Sequence, residues 1–273
     1  MQKVFFFTDI HGMWGLYKSI IDFCISQDPN CIIVYGGDAC DRGVAGYRII
    51  KDLLNNPNII YLKGNHEDLF VKSMQAIAGY HSETIEEAMY DGGDVDLQIW
   101  NGGWSTINDW MKDGKPIDLI EKLNSLPLVT SIHNFDFCHA GGNPKVFQRL
   151  MTSEETVADE EDIDHVLWDR NCLGLGWTPG RICAYGHTPT ITLPSKYYCL
   201  DKSIENAHPC IYTGTLNEKL TGKKINMDTC ACSSGRAYVL DCNTLEVHGF
   251  LDLDIVNNEK HEHKIEKIEV IQL

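Results

Sequence analysis

Two aspartates and an arginine lie close together near the start of the chain, directly after the apolar run 31–35. Asp38 and Asp41 are three residues apart, and Arg42 follows the second of them. Charged groups are rarely placed at the end of a buried strand unless a partner compensates them. Asp38 could hold cations through both carboxylate oxygens, Asp41 could orient a neighbouring base, and the guanidinium of Arg42 fits phosphate oxygens. Alone, the segment could equally be a turn with a surface ion pair.

Polar side chains of similar kinds follow four further apolar runs, each typical of a buried β-strand. In chain order these are Asp9 and His11 after residues 4–7, Asn65 and His66 after 58–62, His139 after 135–138, and His187 after 182–185. Helical patterns separate the first three runs, and such alternation predicts a largely parallel sheet. The sites of parallel sheets lie beyond the carboxyl ends of the strands. We therefore expect the five segments to meet at one edge.

Six of these side chains offer the ligand types that transition metals bind: Asp9, His11, Asp38, Asn65, His139 and His187. Mixed oxygen and imidazole ligands suit manganese, iron or zinc better than calcium. With one bridging carboxylate, such a set predicts two divalent ions about 3.5–4 Å apart, and a water between them would supply hydroxide as a nucleophile. A single histidine is more often structural, and we assign His133, His165 and His208 to that class.

The charge of such a site favours a phosphate ligand. Two divalent ions would outweigh the negative charges of Asp9, Asp38 and a hydroxide, and Arg42 and Arg170 would make the pocket more positive still. A positive pocket attracts a phosphate dianion even when the protein as a whole is acidic. The residues therefore favour phosphoryl chemistry over the hydrolysis of peptides or amides.

The bulk composition limits the classes of partner. A formal net charge of −16 argues against nucleic acid, because no basic stripe exists to replace counterions. The eleven cysteines are scattered and several lie in apolar runs, which is typical of reduced thiols. Cys230 and Cys232 form a close pair that could bind a metal, but no second pair at zinc spacing accompanies them. No apolar run approaches the ~20 residues of a membrane span, and the run at 4–7 is too short for a signal peptide, so we expect a cytoplasmic protein without a membrane partner.

The length of 273 residues and a hydrophobic content of 43% suit one large domain, 1–273, with a full core. Residues 79–115 are rich in Gly and Trp and should form a helical excursion packed by its tryptophans, which could act as a cap beside the site. Residues 193–224 are irregular and should form an inserted loop or hairpin, followed by short antiparallel strands. A helix should begin at Asp68, and residues 257–267 should form a poorly packed tail or a last strand.

The polar strand ends also resemble the motifs of a known family. The strings TDIHG, GGDACDRG, GNHE, HAGG and YGHTP are similar to those of the phosphoprotein phosphatase family of calcineurin-like metallophosphoesterases, especially the bacterial and phage serine/threonine phosphatases. The resemblance extends from about residue 3 to 248 and includes NGG at 101–103, LWDR at 167–170 and INMDT at 225–229. It implies an α/β fold in which two mixed β-sheets form a sandwich flanked by helices, with the metals at one edge.

The resemblance also implies a role for each matching residue. One metal would be held by Asp9, His11 and Asp38, and the second by Asp38, Asn65, His139 and His187. His66 would protonate the leaving oxygen with Asp41 orienting it, while Arg42 and Arg170 would bind the phosphate. Thr8 and the pair Ala39–Cys40 depart from the usual motif without adding or removing a ligand, and Arg170 rests on a shorter match.

Three functions remain open at this stage. The resemblance implies a metal-dependent phosphomonoesterase that acts on a phosphorylated protein or a small phosphoester, using two divalent ions, manganese first and iron or zinc as alternatives. Symmetrical cleavage of dinucleoside tetraphosphates would use the same metals with a pocket for adenine. A non-catalytic binding module would have lost a ligand, His66 or Arg42, and the chain retains all of them. The sequence leaves the oligomeric state open.

Overall fold

The computed structural model describes residues 2–90, 93–152, 159–171, 174–193, 207–213, 222–257 and 264–272. Strands and helices alternate in its first part. They are β1 (Val4–Phe7), α1 (Trp14–Gln27), β2 (Ile32–Tyr35), α2 (Gly46–Asn55), β3 (Ile59–Tyr61) and α3 (Asn65–Tyr80). Four short helices follow, which are α4 (Ile85–Tyr90), α5 (Asp94–Trp100), α6 (Trp104–Lys112) and α7 (Asp118–Asn124).

The second part of the chain is richer in strands. It contains β4 (Val129–Ile132), β5 (Phe135–Cys138), α8 (Pro144–Thr152), α9 (Glu160–Leu167), β6 (Ile182–Tyr185), β7 (Cys210–Thr213) and β8 (Lys223–Asn226). The last elements are α10 (Ala231–Ser234), β9 (Arg236–Asp241), β10 (Glu246–Asp252), α11 (Leu253–Asn257) and β11 (Ile265–Gln272). Among the described helices, none combines the length and the apolar character that a bilayer crossing requires.

The described strands form two mixed sheets. One has six strands in the order β11-β10-β9-β1-β2-β3, and the other has five in the order β4-β5-β6-β8-β7. Strands β1, β2 and β3 run parallel, as do β5, β6 and β8, and the remaining pairs are antiparallel. The predicted fold class, an α/β sandwich of two mixed sheets flanked by helices, is confirmed.

Strand β1 is apolar throughout because both of its faces are covered. Successive side chains of a strand point to opposite faces, so Phe5 and Phe7 pack under the helices with Leu16. Phe6 points the other way and lies against Phe137 of the second sheet, with ring centroids 5.3 Å apart. This contact lies in the layer between the sheets that holds the sandwich together.

Replacing Phe137 with leucine should reduce the free energy of unfolding by about 1–2 kcal/mol, because the smaller side chain leaves part of the space opposite Phe6 unfilled. Urea unfolding would show this as a lower midpoint with an unchanged slope. The matched control is Tyr90→Leu, which removes a ring that is 93% exposed and should change stability by less than about 0.5 kcal/mol. An equal loss in both variants would show that Phe137 does not pack against Phe6 in the core.

The structure corrects the predicted start of α3. The helix begins at Asn65, not at Asp68, with Gly64 in an extended conformation before it. The Glu67 carboxylate accepts a hydrogen bond from the Gly64 amide at 2.8 Å, which satisfies one of the donors that a helix start exposes. Asn65 and His66 consequently lie in the first helical turn rather than in a loop.

The prediction that tryptophans pack the 79–115 segment is wrong for two of the three. Trp100 and Trp104 are 86% and 45% exposed, whereas Trp110 is fully buried against Phe70. The segment is helical as predicted, in α4, α5 and α6, outside residues 91 and 92. Its suggested role as a cap remains a prediction.

Three predictions concern residues 193–272. The antiparallel strand predicted at 225–228 corresponds to β8, which starts two residues earlier; it is antiparallel to β7 as expected, but it also pairs parallel with β6. The predicted insert at 193–224 is described only in part: β7 and the start of β8 form a two-stranded ladder, while 194–206 and 214–221 lie outside the described residues. Of the terminal segment 257–267, residue 257 ends α11, residues 258–263 lie outside the described residues, and only 265–267 belong to a strand, β11, which pairs along the edge of β10.

Candidate active site

The predicted strand-end residues converge where the two sheets meet. The His187 amide, after β6, donates to the Asp9 carboxylate after β1 at 3.0 Å. The His66 amide donates to Asp38 at 3.0 Å, which joins the end of β2 to the start of α3. The imidazole of His139, after β5, donates from Nδ1 to the backbone carbonyl of Gly36 at 2.8 Å. Five segments therefore surround one small volume, with their polar side chains buried.

Several of these residues adopt a left-handed backbone conformation, which side chains other than glycine rarely tolerate. The positive φ angles are 56° at Asp9, 44° at His11, 59° at Asp38, 67° at Asp41, 64° at Arg42 and 65° at His187. Strained backbone of this kind clusters at functional sites, where the surrounding structure enforces it. Six of the predicted site residues share this conformation, and their side chains face the same volume.

Four hydrogen-bond acceptors face one another at the second predicted metal position. Because His139 Nδ1 donates to a carbonyl, its Nε2 atom carries the lone pair, and it lies 2.8 Å from Asn65 Oδ1 and 3.4 Å from Asp38 Oδ1. His187 Nε2 contacts the carbonyl of Trp168, so its Nδ1 atom is the acceptor and lies 2.9 Å from the same Asn65 oxygen. These four atoms all accept hydrogen bonds and none of them donates to another, so a cation placed between them would satisfy all four. This donor set fits a divalent metal.

A second group with metal-binding geometry contains His11, Asp38 and His66, and Asp38 belongs to both groups. His11 Nδ1 donates to the carbonyl of Cys40 at 2.9 Å, which leaves Nε2 as the free ligand atom. Asp9 lies in neither group; its carboxylate accepts hydrogen bonds from the Thr8 hydroxyl at 2.6 Å and from the His187 amide at 3.0 Å. The shared position of Asp38 suits a ligand that bridges two ions.

The protonation of these side chains suits metal binding. Burial raises the pKa of Asp38, but the nearby imidazoles of His139, His66 and His11 outweigh it and hold that pKa well below its ordinary value. Burial lowers the pKa of His11 and His139, and it lowers that of His187 to about 3. The carboxylate is therefore ionised and these three imidazoles are neutral, which is the form in which each binds a metal.

His66 and Asp41 form a buried pair beside the metal groups. His66 Nδ1 donates to Asp41 Oδ2 at 2.8 Å, and Asp41 is fully buried. The Gln98 amide donates to the other Asp41 oxygen at 3.1 Å, and Asp41 N–H donates to Thr106. Burial lowers the pKa of His66, but the charges of Asp38 and Asp41 raise it above its ordinary value overall. His66 can therefore carry a proton.

The two predicted arginines differ in how closely the structure places them. Arg42 lies within the site: its guanidinium is 2.8 Å from His11 Nε2 and 3.1 Å from His66 Nε2, and its amide donates to the Gly102 carbonyl. Arg170 is exposed and near enough for its charge to contribute, after burial, to the lowered pKa values of His139 and His187. Both can contribute positive charge.

Glu67 organises the site, although the sequence assigned it no chemical role. Its carboxylate accepts hydrogen bonds from the amides of Asp38 at 2.8 Å, Ala39 at 2.7 Å and Gly64 at 2.8 Å, and from the Tyr61 hydroxyl at 2.9 Å. These bonds join the loops after β2 and β3. Its position in GNHE could have indicated this role, because a glutamate in the first helical turn often accepts a hydrogen bond from the backbone amide of the residue before the helix.

Asp228 is a second residue that sequence reasoning missed. It is buried at the end of β8, and burial raises its pKa to about 7. Its charge raises the pKa values of Asp9 and Arg42, so it faces the site from the second sheet. The string INMDT contained it, but one aspartate after a strand carries no distinctive spacing.

Gly186 lies so close to Asp9 that no side chain fits. A Cβ atom there would lie 1.9 Å from Asp9 Oδ2 and 2.6 Å from Thr8 Cγ2. Gly186→Ala should therefore displace the Asp9 carboxylate and weaken metal binding about 10-fold or more, measurable by titrating the metal-free protein with Mn²⁺. Gly79→Ala is the control, because nothing lies within 4 Å of its Cβ position and its affinity should be unchanged. Equal affinities in both variants would refute this steric argument.

The family model described as calcineurin-like phosphoesterase matches residues 2–206. No curated protein sequence matches the chain. Among solved structures, the cold-active protein-tyrosine phosphatase of a psychrophile, Shewanella sp., is 14% identical, with 98% of this chain and 81% of that chain covered and a TM-score of 0.51. A metallophosphoesterase from Sphaerobacter thermophilus is 12% identical, with 96% and 90% covered and a TM-score of 0.48.

A serine/threonine phosphatase from Saccharomyces cerevisiae is 13% identical, with 100% of this chain and 80% of that chain covered and a TM-score of 0.46. At such low identities, similarity to solved structures bears on the fold alone. The family model, in contrast, spans most of the chain and includes nearly every residue of the site. The chain therefore belongs to the calcineurin-like phosphoesterases, a family of metal-dependent enzymes that hydrolyse phosphate esters.

Proposed function

We propose that this protein is a phosphomonoesterase of the serine/threonine protein phosphatase type, which removes phosphate from a phosphorylated protein or a small phosphoester. The observation that carries the proposal is the side-by-side placement of two metal-binding groups sharing Asp38, an imidazole–carboxylate pair and an arginine. These are the parts that a phosphate ester requires for binding, attack and departure of the leaving group.

The metal ligands are proposed as predicted. Asp9, His11 and Asp38 would hold one ion, and Asp38, Asn65, His139 and His187 would hold the other. Manganese is the first candidate, with iron or zinc as alternatives, because the ligands mix oxygen and imidazole nitrogen. When bound, two such ions polarise the phosphoryl oxygens and supply a nucleophile from water at neutral pH.

The protein's own groups would complete the reaction. Arg42 presents a planar fork of donors, and in the site it would exchange its contacts with His11 and His66 for the oxygens of the phosphate. Arg170 would add positive charge from the exposed side. His66 would give its proton to the leaving oxygen, while Asp41 keeps the ring oriented through Nδ1. No covalent phosphoenzyme is needed, since the attack is direct and in line.

The wider context is also proposed. The chain would form a single domain, 1–273, with 79–115 as a cap and 193–224 as an insert near substrate access. The Gln98 side chain and the Gly102 carbonyl support the cap, because they contact Asp41 and Arg42 directly. The buried free thiols among the described residues suit a reducing compartment, which favours the cytoplasm.

One panel of substrates tests this function against its alternatives. The metal-free protein is loaded with Mn²⁺, Fe²⁺ or Zn²⁺ and offered a phosphoserine peptide, a phosphotyrosine peptide, p-nitrophenyl phosphate and a symmetrical dinucleoside tetraphosphate. We expect the highest kcat/KM on the phosphoserine peptide with Mn²⁺. A preference for the dinucleotide would replace the proposal with symmetrical tetraphosphate cleavage, and no hydrolysis with any metal would favour the non-catalytic binding module.

A further inference from the structure

The thiol of Cys232 interacts with Arg42, and Cys230 lies two residues before it; the reaction proposed above uses neither. Cys230 and Cys232 flank the start of the short helix α10, and both are half-buried, so solvent reaches them. The side chains of Cys230 and Cys232 interact, and the sulfur of Cys232 lies 3.7 Å from the Ser233 hydroxyl and also interacts with Arg42. Neither cysteine belongs to a metal-binding group among the described residues.

The segment that carries the two cysteines is held in place by its own hydrogen bonds. The Cys230 amide donates to the Asp228 carboxylate at 2.8 Å, and Cys230 has a left-handed backbone with a φ angle of 58°. Thr229 donates to the carbonyl of Arg236, and Ser234 donates to the carbonyl of Thr229, each at 2.8 Å. The segment that brings the Cys232 sulfur to Arg42 is therefore ordered.

This environment favours a charged sulfur at Cys232. The hydrogen bond from Cys230 is the main cause that lowers the pKa of Cys232 to about 6; burial opposes it, while Ser233 and Arg42 reinforce it. The pKa of Cys230 is raised, mainly because its hydrogen goes to Cys232. By contrast, burial raises the pKa of Cys242, which is also half-buried. Thiolates are the form of cysteine that attacks electrophiles.

We propose that Cys232 is a site of covalent thiol modification, at which peroxides are reduced and Cys230 serves as the resolving thiol. In the first step the Cys232 thiolate attacks a peroxide oxygen; an S–O bond forms, the O–O bond breaks, and hydroxide leaves, so the sulfur becomes a sulfenic acid. In the second step the Cys230 sulfur attacks that sulfur; the S–S bond forms, the S–O bond breaks, and water leaves. A dithiol reductant then reduces the disulfide and restores both thiols.

The modification would change the charge next to a phosphate-binding group. The Cys232 charge is one of the contributions that raise the pKa of Arg42, so a thiolate competes with phosphate for the guanidinium. A disulfide removes that charge, whereas an alkyl group adds bulk beside Arg42. This consequence rests on the proposed function, but the chemistry of the thiols does not.

The test is thiol mapping of the manganese-loaded protein, which needs no substrate. Trypsin should release residues 225–236, which contain Cys230 and Cys232 and no other cysteine, whereas Cys242 lies in the next peptide. With limiting iodoacetamide at pH 7, Cys232 should be labelled about 10-fold faster than Cys242 or more. Its labelling rate should level off above about pH 7, while an ordinary thiol continues to gain reactivity to about pH 8.5.

Peroxide treatment supplies the second arm. Wild-type protein should lose two hydrogen atoms from the 225–236 peptide, reversibly with dithiothreitol, whereas Cys230→Ser should accumulate the sulfenic acid, trapped by dimedone, and Cys232→Ser should show neither product. Arg42→Gln should slow the alkylation of Cys232, because the positive charge beside the sulfur is lost. Labelling of Cys242 as fast as Cys232, or a peroxide product that does not require Cys232, would overturn the proposal.

An activity measurement then tests whether the modification weakens phosphate binding by Arg42. Alkylation of Cys232 should reduce the hydrolysis of p-nitrophenyl phosphate at least about 10-fold through a higher KM, since the added group lies beside Arg42. The Cys232→Ser variant should resist this inhibition. If the thiol mapping succeeds but alkylation leaves the activity unchanged, the modification site stands and the proposed role of Arg42 in phosphate binding fails. If the unmodified protein hydrolyses no phosphoester, the modification site stands and the proposed function fails.

Discussion

Asp38→Asn should reduce kcat/KM by at least about 10³-fold, equivalent to ~4 kcal/mol of transition-state stabilisation, and should lower the metal content of the protein. Asp38 is the one residue shared by both metal-binding groups, so its charge acts on both positions. Asparagine keeps the size of the side chain and its hydrogen bond from the His66 amide, but it removes the negative charge. The effect should therefore arise from lost metal affinity rather than from unfolding.

Elemental analysis after dialysis and p-nitrophenyl phosphate hydrolysis at several Mn²⁺ concentrations measure both quantities. Asp113→Asn is a matched control, because that carboxylate is exposed and bonds Lys51 and Tyr47, which are not residues of the site. Its metal content and activity should equal those of the wild type. Full metal occupancy together with normal turnover in Asp38→Asn would show that the shared carboxylate is not a ligand.

His66→Asn should lower kcat by roughly 10²–10⁴ while the metal content survives. The reason is that the Asp41-bound imidazole is the group placed to protonate a leaving oxygen. The loss should be larger for a phosphoserine peptide than for p-nitrophenyl phosphate, since a nitrophenolate leaves without protonation. Kinetics with both substrates and metal analysis of the purified variant measure these effects.

The same experiment separates two roles for His66, because its imidazole also lies in a group that could hold a metal with His11 and Asp38. If His66 were a ligand, the variant would lose metal and would lose activity equally on both substrates. His133→Asn is the control: His133 is exposed and has a φ angle of 55°, which asparagine tolerates. Turnover in that variant should be unchanged.

Much of the site could be predicted because its residues lie at strand ends. In a parallel sheet the carboxyl ends of the strands share one edge, so Asp9, Asp38 and Asn65 are brought together by topology alone. The short apolar runs before the site residues identified β1, β2, β3, β5 and β6 correctly, although the run at 135–138 contains Asp136. The start of α3 was missed because the hydrogen bond from Gly64 to Glu67 decides it, and that bond depends on the loop after β2.

Strand β4 was also missed, because residues 129–132 are only half-buried and lack a strong apolar pattern. The exposed positions of Trp100 and Trp104 were predicted wrongly for a related reason. Whether a tryptophan is buried depends on which elements pack against its helix, and the amino-acid composition of the segment does not show this.

The sequence by itself determined the residue types, their positions at strand ends and hence the phosphoryl chemistry, because the periodicity of apolar residues and the spacing of polar ones are local properties. Only the tertiary structure decided which acceptors face one another, that Asp38 is shared between two groups, and that Glu67 and Asp228 support the site. It also brought Cys232 to Arg42, 190 residues earlier in the chain. These contacts join residues far apart in sequence, and their geometry is set by how two sheets pack rather than by any local pattern.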